Sequence, residues 1–170
     1  MEVTRLDSDD LRWRAGEFDE LLRDAVDSGA SIGFLPPLMP GEAGSYWQNV
    51  AAAMRDGSRV LLAAFDEGHV VGCVQVDYAS RRNAQHRAEV MKLMVHTSAR
   101  RKGVGRALMS AAAEAALRGG RTLLVLDTRQ GDPSERLYRS LGYESAGIIP
   151  GYARSASGEL HATVFMYKQL

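Results

Sequence analysis

The stretch RRKGVG, residues 100–105, places three basic side chains directly before a glycine, with a second glycine two positions on. It follows a strand-like segment and opens an alanine-rich helix. A helix that begins in this way presents free backbone N–H groups at its positive dipole end, which can bind an anion. Glycine lets the backbone approach phosphate oxygens without a side chain in the way. The pattern predicts a small-anion site, and the alternative is a solvated turn before a packed helix.

Two well-known phosphate-binding patterns fit this turn poorly. In a dinucleotide-binding fold, Asp127 at the end of the next strand would hold a ribose. However, Leu108 stands where that fingerprint needs its third glycine, and too few residues follow Gly103 for the further βα units of a doubly wound sheet. The P-loop pattern lacks its Gly-Lys-Ser/Thr. A nucleotide-binding module of another fold is therefore the least favoured interpretation.

Two carboxylates occupy positions from which they could accept a proton. Glu89 alternates with apolar residues on one predicted strand face, where a carboxylate is out of place unless it is paired or used. The other residues of that face are Met91, Leu93 and Val95. Such surroundings are expected to raise the pKa of Glu89 by desolvation. Asp127 ends an apolar strand at its carboxyl end, where ligand sites of α/β sheets gather. The structural alternatives are a paired edge glutamate and a capping aspartate.

The elements that hold these residues can be predicted from apolar spacing and turn residues. Helices are predicted at 9–29, 42–57, from 103 to the glycines at 119–120, and at 132–142. Strands are predicted near the start and at 59–65, 70–79, 87–95, 122–128, 143–151 and 161–170. An apolar, proline-rich loop at 31–41 either covers the core or lines a ligand cleft. Residues 1–170 thus predict one α/β (α+β) domain with an antiparallel front half and a βαβ unit over 87–128.

Apolar stripes mark the core faces of these helices. The first helix is expected to bury Leu11, Phe18, Leu21, Leu22 and Ala25, and the second Tyr46, Val50, Ala53 and Met54. The helix after the glycine turn carries the stripe Val104, Ala107, Leu108, Ala111 and Ala115. Trp13 and Trp47 are assigned to helical apolar faces, with core packing as the favoured role of Trp47.

Composition excludes several classes of protein. Lysine plus arginine and aspartate plus glutamate both number 21, so the broad positive field used for nucleic-acid or anionic-membrane binding is absent. The single cysteine, Cys73, excludes an internal disulfide and a Cys-rich zinc site, and the four histidines lack metal-ligand spacing. No apolar run is long enough to span a membrane, and the first residues are charged. We expect a cytoplasmic protein without a metal.

Two motifs resemble signatures of the GNAT superfamily of acetyl-CoA-dependent N-acetyltransferases. RRKGVG matches the pattern Arg/Gln-x-x-Gly-x-Gly/Ala, and SERLYRSLGY (134–143) is similar to the second signature, in the expected order and on the expected elements. The segments GASIGFLPPL (29–38) and LLVLDTRQGDPSERLYRSLGY (123–143) further resemble bacterial tabtoxin-resistance acetyltransferases. Gly131 and Ser134 depart from the asparagine and alanine that many members carry there. The departure puts one contact to the pantetheine arm in doubt.

The resemblance implies a mixed, mostly antiparallel sheet, flanked by helices, that is splayed at a central parallel pair, with acetyl-CoA entering the gap. Met94 and Val95 would offer backbone groups to the pantetheine arm and the thioester. The pyrophosphate would lie on the turn made by Arg100, Arg101, Lys102, Gly103, Val104, Gly105 and Arg106. Tyr138 would contact the cofactor sulfur and give the leaving thiolate a proton, although a tyrosine there could also be core.

The resemblance also implies an enzyme that acetylates a primary amine by direct attack within a ternary complex. Cys73 lies in an apolar strand, so a covalent relay is not expected. Glu89 and Asp127 are both candidate bases for the ammonium proton. The acceptor is expected to be a small molecule, such as an amino-acid-like toxin or antibiotic. The alternative is a non-catalytic acyl-CoA sensor of the same fold, and the oligomeric state, including a homodimer, stays open.

Overall fold

The computed structural model describes residues 1–170, which form seven strands and five α-helices. The strands are β1 (Glu2–Leu6), β2 (Arg59–Asp66), β3 (His69–Tyr78), β4 (Arg87–Val95), β5 (Leu123–Arg129), β6 (Glu144–Arg154) and β7 (Leu160–Gln169). The helices are α1 (Ser8–Trp13), α2 (Ala15–Asp27), α3 (Glu42–Arg55), α4 (Val104–Arg118) and α5 (Pro133–Ser140). Short 3-10 helices lie at Arg82–Ala84 and Thr97–Ala99. No helix is long and apolar enough to cross a membrane.

All seven strands belong to one sheet, in the order β1-β2-β3-β4-β5-β7-β6. Only the central pair, β4 and β5, is parallel, and every other pair is antiparallel. The parallel pairing runs from Arg87↔Leu123 to Glu89↔Val125 and ends there, although both strands continue. The two strands therefore separate toward their carboxyl ends. The expected mixed, mostly antiparallel sheet with a splayed parallel pair is confirmed.

Helices cover the sheet on both faces. The α4 helix packs on β2, β3 and β4, and it buries Val104, Leu108, Met109, Ala112, Ala115 and Ala116 against the sheet. On the other face, α1, α2 and α3 form a second core that includes Phe18 and Trp47, whose rings meet edge to face at 5.0 Å. Trp47 is buried, as predicted. The uncovered part of this second face, over β5, β7 and β6, borders the splayed gap.

A β-bulge in β4 changes which residues share a face with Glu89. The register runs from Gln75↔Met91 to Cys73↔Met94, so β4 has one residue more than β3 between these pairs. Lys92 lies at the bulge with φ +53°. Beyond it, Met94 packs in the α1–α3 core, while Leu93 and Val95 pack against the α4 core. The predicted face shared by Glu89, Leu93 and Val95 is therefore wrong, because the extra residue reverses the alternation.

The predicted first helix needs correction in two respects. It is two helices that break at Arg14, and Trp13 at the end of α1 is 88% exposed instead of lying on an apolar face.

Candidate functional site

A cleft of about 920 Å³ opens in the gap between the diverging ends of β4 and β5. Its walls are residues 89–95 of β4, residues 127–129 of β5, the turn that leads into α4, and the start of α5. Residues 28–33 of the front loop, which is the segment 28–41 between α2 and α3, complete the lining. The loop thus fills both predicted roles, because residues 31–33 line the cleft while Ile32, Phe34 and Leu38 pack against the α1–α3 core. Its residue Ile32 accepts a hydrogen bond from Nζ of Lys92, which ties the loop to the β4 bulge.

The glycine turn, residues 97–106, forms one end of the cleft and offers backbone donors to it. The N–H groups of residues 101–106 make no hydrogen bond to another backbone group, and the first such bond of α4 is donated by Ala107. Arg101 (φ +64°) and Gly103 (φ +84°) adopt left-handed backbone conformations that curve the chain here. Consecutive free amides at a helix N-terminus can bind a diphosphate or a similar anion.

The two glycines of the turn serve different purposes. Gly103 has open space around the position of a Cβ, so its positive φ explains the choice of residue. At Gly105, a Cβ would lie 3.3 Å from Cδ2 of Leu137, so its small size lets α4 approach α5. Arg106 reinforces this contact, because its Nη2 donates to Oγ of Ser140 at 2.8 Å. Lys102 does not line the cleft.

The α2 helix holds the glycine turn in place through two polar contacts. The carboxylate of Asp24 accepts hydrogen bonds from the backbone N–H of Thr97 at 2.8 Å and from its hydroxyl at 2.6 Å. Arg100 donates from Nη2 to Oγ of Ser28 at 2.6 Å and from Nε to the carbonyl oxygen of Val95 at 3.1 Å. The Arg100 side chain is therefore engaged within the protein. Sequence reasoning missed Asp24 and Ser28, since nothing in the α2 pattern separates them from solvent-facing residues.

At the other end of the cleft, carboxylates lie on three adjacent strands. Glu89 faces Asp77 directly across the β3–β4 pair. Asp127 is two residues beyond Val125, the β5 partner of Glu89, and so it lies on the same face of the sheet. The Glu89 side chain is exposed, yet partial desolvation raises its pKa, and the negative charges of Asp127 and Asp77 raise it further, against Arg87 and Arg59. A carboxylate in such surroundings holds a proton more readily than one in water.

Asp127 and Tyr138 also line the cleft. The hydroxyl of Thr163 lies 2.8 Å from both Oδ2 of Asp127 and the carbonyl oxygen of Thr128, so its one proton is shared between them and helps to orient the carboxylate. The ring of Tyr138 is buried near Tyr143, with ring centroids 5.9 Å apart. Burial raises the pKa of Tyr138, and the charges of Asp127 and Asp132 add to the effect. The phenol thus stays protonated at neutral pH.

Cys73 lies outside the cleft lining and is fully buried. Burial raises the pKa of its thiol, so the thiolate needed for a nucleophile is disfavoured. Ser134, one of the departures from the family pattern, bonds through Oγ to Oγ1 of Thr128 at 2.7 Å. Gly131, the other departure, has φ +86° and donates its N–H to Glu135. Both departures are therefore accommodated by local structure.

Comparisons with known proteins agree with this arrangement. A sequence model described as the acetyltransferase (GNAT) family matches residues 20–143. Among solved structures, ribosomal-protein-alanine N-acetyltransferase from Brucella melitensis is similar with a TM-score of 0.82 and 24% identity, covering 100% of both chains. YncA from Salmonella typhimurium, solved with acetyl-CoA, gives 0.83 and 23%, covering 100% of this chain and 94% of its own. A phosphinothricin acetyltransferase from Sinorhizobium meliloti, in complex with AcCoA, gives 0.80 and 24%, covering 100% and 89%.

Proposed function

This chain belongs to the acetyltransferase (GNAT) family, and we propose that it transfers the acetyl group of acetyl-CoA to the primary amine of a small molecule. The observation that carries the proposal is the form of the cleft. It opens between the splayed strands, with unpaired backbone amides at one end and Glu89, Asp127 and Tyr138 at the other. A long ligand with a diphosphate at one end and a reactive group at the other would meet suitable partners at both.

Acetyl-CoA fits the donors that the cleft provides. We assign its pyrophosphate to the turn from Arg100 to Arg106, mainly to the backbone amides of residues 101–106. Lys102 adds an exposed positive charge near the turn. We assign the pantetheine arm to the β4 edge at Met94 and Val95, which lies beyond the last pairing with β5. The carbonyl oxygen of Val95 already accepts a hydrogen bond from Arg100, so other backbone groups of this edge would hold the arm.

The side chains at the far end can manage the protons of the reaction. The bound cosubstrate supplies an activated acetyl thioester that accepts an amine nitrogen directly, without an acetylated protein. The acceptor enters mostly as an ammonium ion, and Glu89 with its raised pKa is the proposed base that takes its proton. Asp127, oriented by Thr163, is proposed to hold the ammonium, and the protonated hydroxyl of Tyr138 to give a proton to the departing sulfur.

The acceptor is proposed to be a small amine. The resemblance to tabtoxin-resistance acetyltransferases and the likeness to a phosphinothricin acetyltransferase support an amino-acid-like toxin or antibiotic, and with it a role in resistance. Fold alone does not set the substrate, so the support comes mainly from the lining of the cleft, which mixes apolar, acidic and basic side chains. Cytoplasmic location, action of residues 1–170 as one domain, and assembly as a homodimer stay predictions.

Ligand binding and turnover test the proposal in sequence. Acetyl-CoA at a hundredfold excess over its Kd should stabilise the fold by about 2.7 kcal/mol, seen as a rise in Tm, whereas NADH should not. Release of free thiol from acetyl-CoA is then followed across a panel of small amines. Equal stabilisation by NADH would reject the acetyl-CoA assignment. Binding of acetyl-CoA without thiol release on any amine would favour a non-catalytic acyl-CoA sensor.

A further inference from the structure

A smaller cavity of about 240 Å³ lies beside the main cleft, and Gly29, Arg129 and Ala153 are among the residues that line both. This cavity lies between residues 29–36 of the front loop and residues 153–156 at the end of the β6–β7 hairpin. Arg129, the last residue of β5, borders both spaces. A molecule that occupies the main cleft and extends past Asp127 along β5 would therefore meet the guanidinium of Arg129.

Arg129 has no partner in the protein that balances its charge. It forms no ion pair with any Asp or Glu of the chain. Its one hydrogen bond runs from Nη1 to the carbonyl oxygen of Gly29, at a long 3.5 Å, and its Nε is buried without an acceptor. A guanidinium has five N–H donors in a planar fork that matches a carboxylate, so most of these donors remain available.

Two other arginines near the sheet, Arg59 and Arg121, have partners within the fold. Arg59 pairs with Asp77 at 2.9 Å. Arg121 also has a buried Nε without an acceptor, but its guanidinium lies 4.5 Å from the ring centre of Tyr78 and donates to the carbonyl of Gln85. Arg121 borders neither cavity. Arg129 therefore differs from both, as a half-buried guanidinium that lines a cavity and lacks an anion.

Acidic side chains line the main cleft but not the smaller cavity. Glu89 and Asp127 border the main cleft with Lys92 near both of them, whereas the smaller cavity is bordered by Arg129 and Arg154 and by no acidic residue. Residues 127 and 129 share a face of β5, because side chains two positions apart in a strand point the same way, and they are about 7 Å apart along the strand. A compact molecule with an amine and an oxyanion a few bonds apart could reach both charges.

We infer that Arg129, with Arg154 beside it, binds the carboxylate of an acceptor whose amine meets Asp127 and Glu89. The acceptor is then a free amino acid or an amino acid analogue, since simple alkylamines and peptide N-termini lack a carboxylate at this spacing. A bidentate guanidinium–carboxylate pair is stronger and more directional than a neutral hydrogen bond, so Arg129 would select the substrate as well as hold it. The inference rests on the proposed function and adds the class of acceptor that the protein selects.

The test compares L-amino acids with their α-carboxamides, which keep the amine and lose the anion. Thiol release from acetyl-CoA should show that the parent protein prefers amino acids to the matched amides. Arg129→Gln should raise KM for the amino acids roughly 10- to 100-fold, the range of a lost charge-assisted hydrogen bond. KM for acetyl-CoA and turnover of the amides should not change. Arg129→Lys, which keeps the charge and loses the fork, should recover part of the loss.

Arg121→Gln is the matched control, since it removes another guanidinium with a buried Nε away from both cavities, and it should leave every KM unchanged. Equal use of acids and amides by the parent protein overturns the inference, as does an equal rise in KM for both in Arg129→Gln. Transfer only to small alkylamines overturns it while the proposed function stands. Failure to bind acetyl-CoA overturns both.

Discussion

At the glycine-turn end of the cleft, residues 97–106, the groups offered to a ligand are backbone amides, whereas at the opposite end they are side chains. The glycine turn is fixed by left-handed backbone at Arg101 and Gly103 and by contacts from α2. The opposite end, which we call the acceptor end, combines Glu89, Asp127 and Arg129 with the front loop and the β6–β7 hairpin. Its outer strand, β6, is exposed along nearly its whole length.

The difference explains which part of the function is general and which is particular to this chain. Backbone amides can bind a phosphate in any sequence that keeps the glycines and the curvature, so the glycine turn suits a ligand that many relatives share. At the acceptor end, a single substitution changes charge or shape without disturbing the sheet. We therefore expect the acceptor end to select the substrate, and mutations at the two ends to produce separable effects on binding and turnover.

The largest effect is expected from Glu89→Gln at the acceptor end. This variant keeps the shape of the side chain and removes its basicity, so turnover at neutral pH should fall by roughly 10²- to 10⁴-fold, the range typical of a positioned base. Because the pKa of Glu89 is raised, activity of the parent protein should fall as the pH drops through that raised value. The variant should lose this acidic limb in a pH–rate profile, with its Kd for acetyl-CoA unchanged.

Two further measurements complete this test. A raised pKa means that the ionised form of Glu89 is disfavoured in the folded state. The contribution of Glu89 to the free energy of unfolding therefore declines as the pH rises above the pKa that this residue has in the unfolded chain. Glu89→Gln should accordingly not lower Tm at neutral pH, which separates lost chemistry from unfolding.

Asp127→Asn should act mainly on the KM of the acceptor. An exchange of the two outcomes would make Asp127 the base, and a loss of only a few-fold in both would exclude either carboxylate from that role.

The fold and the glycine turn could be predicted from the sequence because their signals are local. Apolar spacing, turn residues and the RRKGVG motif each lie within a short stretch of chain, and the parallel pair followed from their order. The β4 bulge left no such signal. Leu93, Met94 and Val95 are all apolar, so their sequence is equally compatible with a regular strand and with a bulged strand. The bulge at Lys92 depends on the pairing of β4 with β3.

The second effect tests the glycine turn against a turn of equal backbone strain elsewhere. Gly103 and Gly158 have nearly the same φ, +84° and +86°, and neither has an atom within 4 Å of a Cβ position. A valine at either site is disfavoured in this conformation by roughly 1–2 kcal/mol or more, so Gly103→Val and Gly158→Val should lower Tm to a similar extent. Only Gly103→Val should weaken acetyl-CoA binding, by roughly 10- to 100-fold, because the amides lose their alignment.

Isothermal titration of acetyl-CoA into both folded variants provides the measurement. The acceptor KM, extrapolated to saturating acetyl-CoA, should be unchanged in Gly103→Val, because this substitution leaves the acceptor end untouched. Tight binding by Gly103→Val would mean that the backbone of the turn does not hold the phosphates. Equal weakening in Gly158→Val would trace the loss to stability alone.

Long-range contacts between polar side chains were the part of the site that no sequence pattern revealed. Arg100 was expected to bind phosphate by its charge, yet its guanidinium bonds to Ser28 and to the carbonyl of Val95. Asp24 lies in the last turn of an amphipathic helix, and its contact with Thr97 joins residues 73 positions apart. Such contacts follow from how α2 is set against the turn, which requires the tertiary structure.

The smallest effect is expected from Asp24→Asn, which tests whether the contact with α2 matters for the glycine turn. The carboxylate accepts two hydrogen bonds from Thr97, and an amide of the same shape has only one accepting oxygen. Losing one such bond, worth roughly 0.5–1.5 kcal/mol, should raise the Kd for acetyl-CoA about 3- to 10-fold. Turnover at saturating acetyl-CoA and the acceptor KM should not change, because the acceptor end keeps its side chains.

Asp56→Asn is the matched control for this variant. Oδ1 of Asp56 also accepts a backbone N–H, from Ser58 at 2.9 Å, but it lies after α3 and does not line either cavity. It should leave the Kd for acetyl-CoA unchanged, even if both variants lower Tm slightly. An unchanged Kd in Asp24→Asn would show that the turn keeps its conformation without α2. A fall in turnover instead of affinity would show that the two ends of the cleft are coupled, which the separation of amides and side chains does not predict.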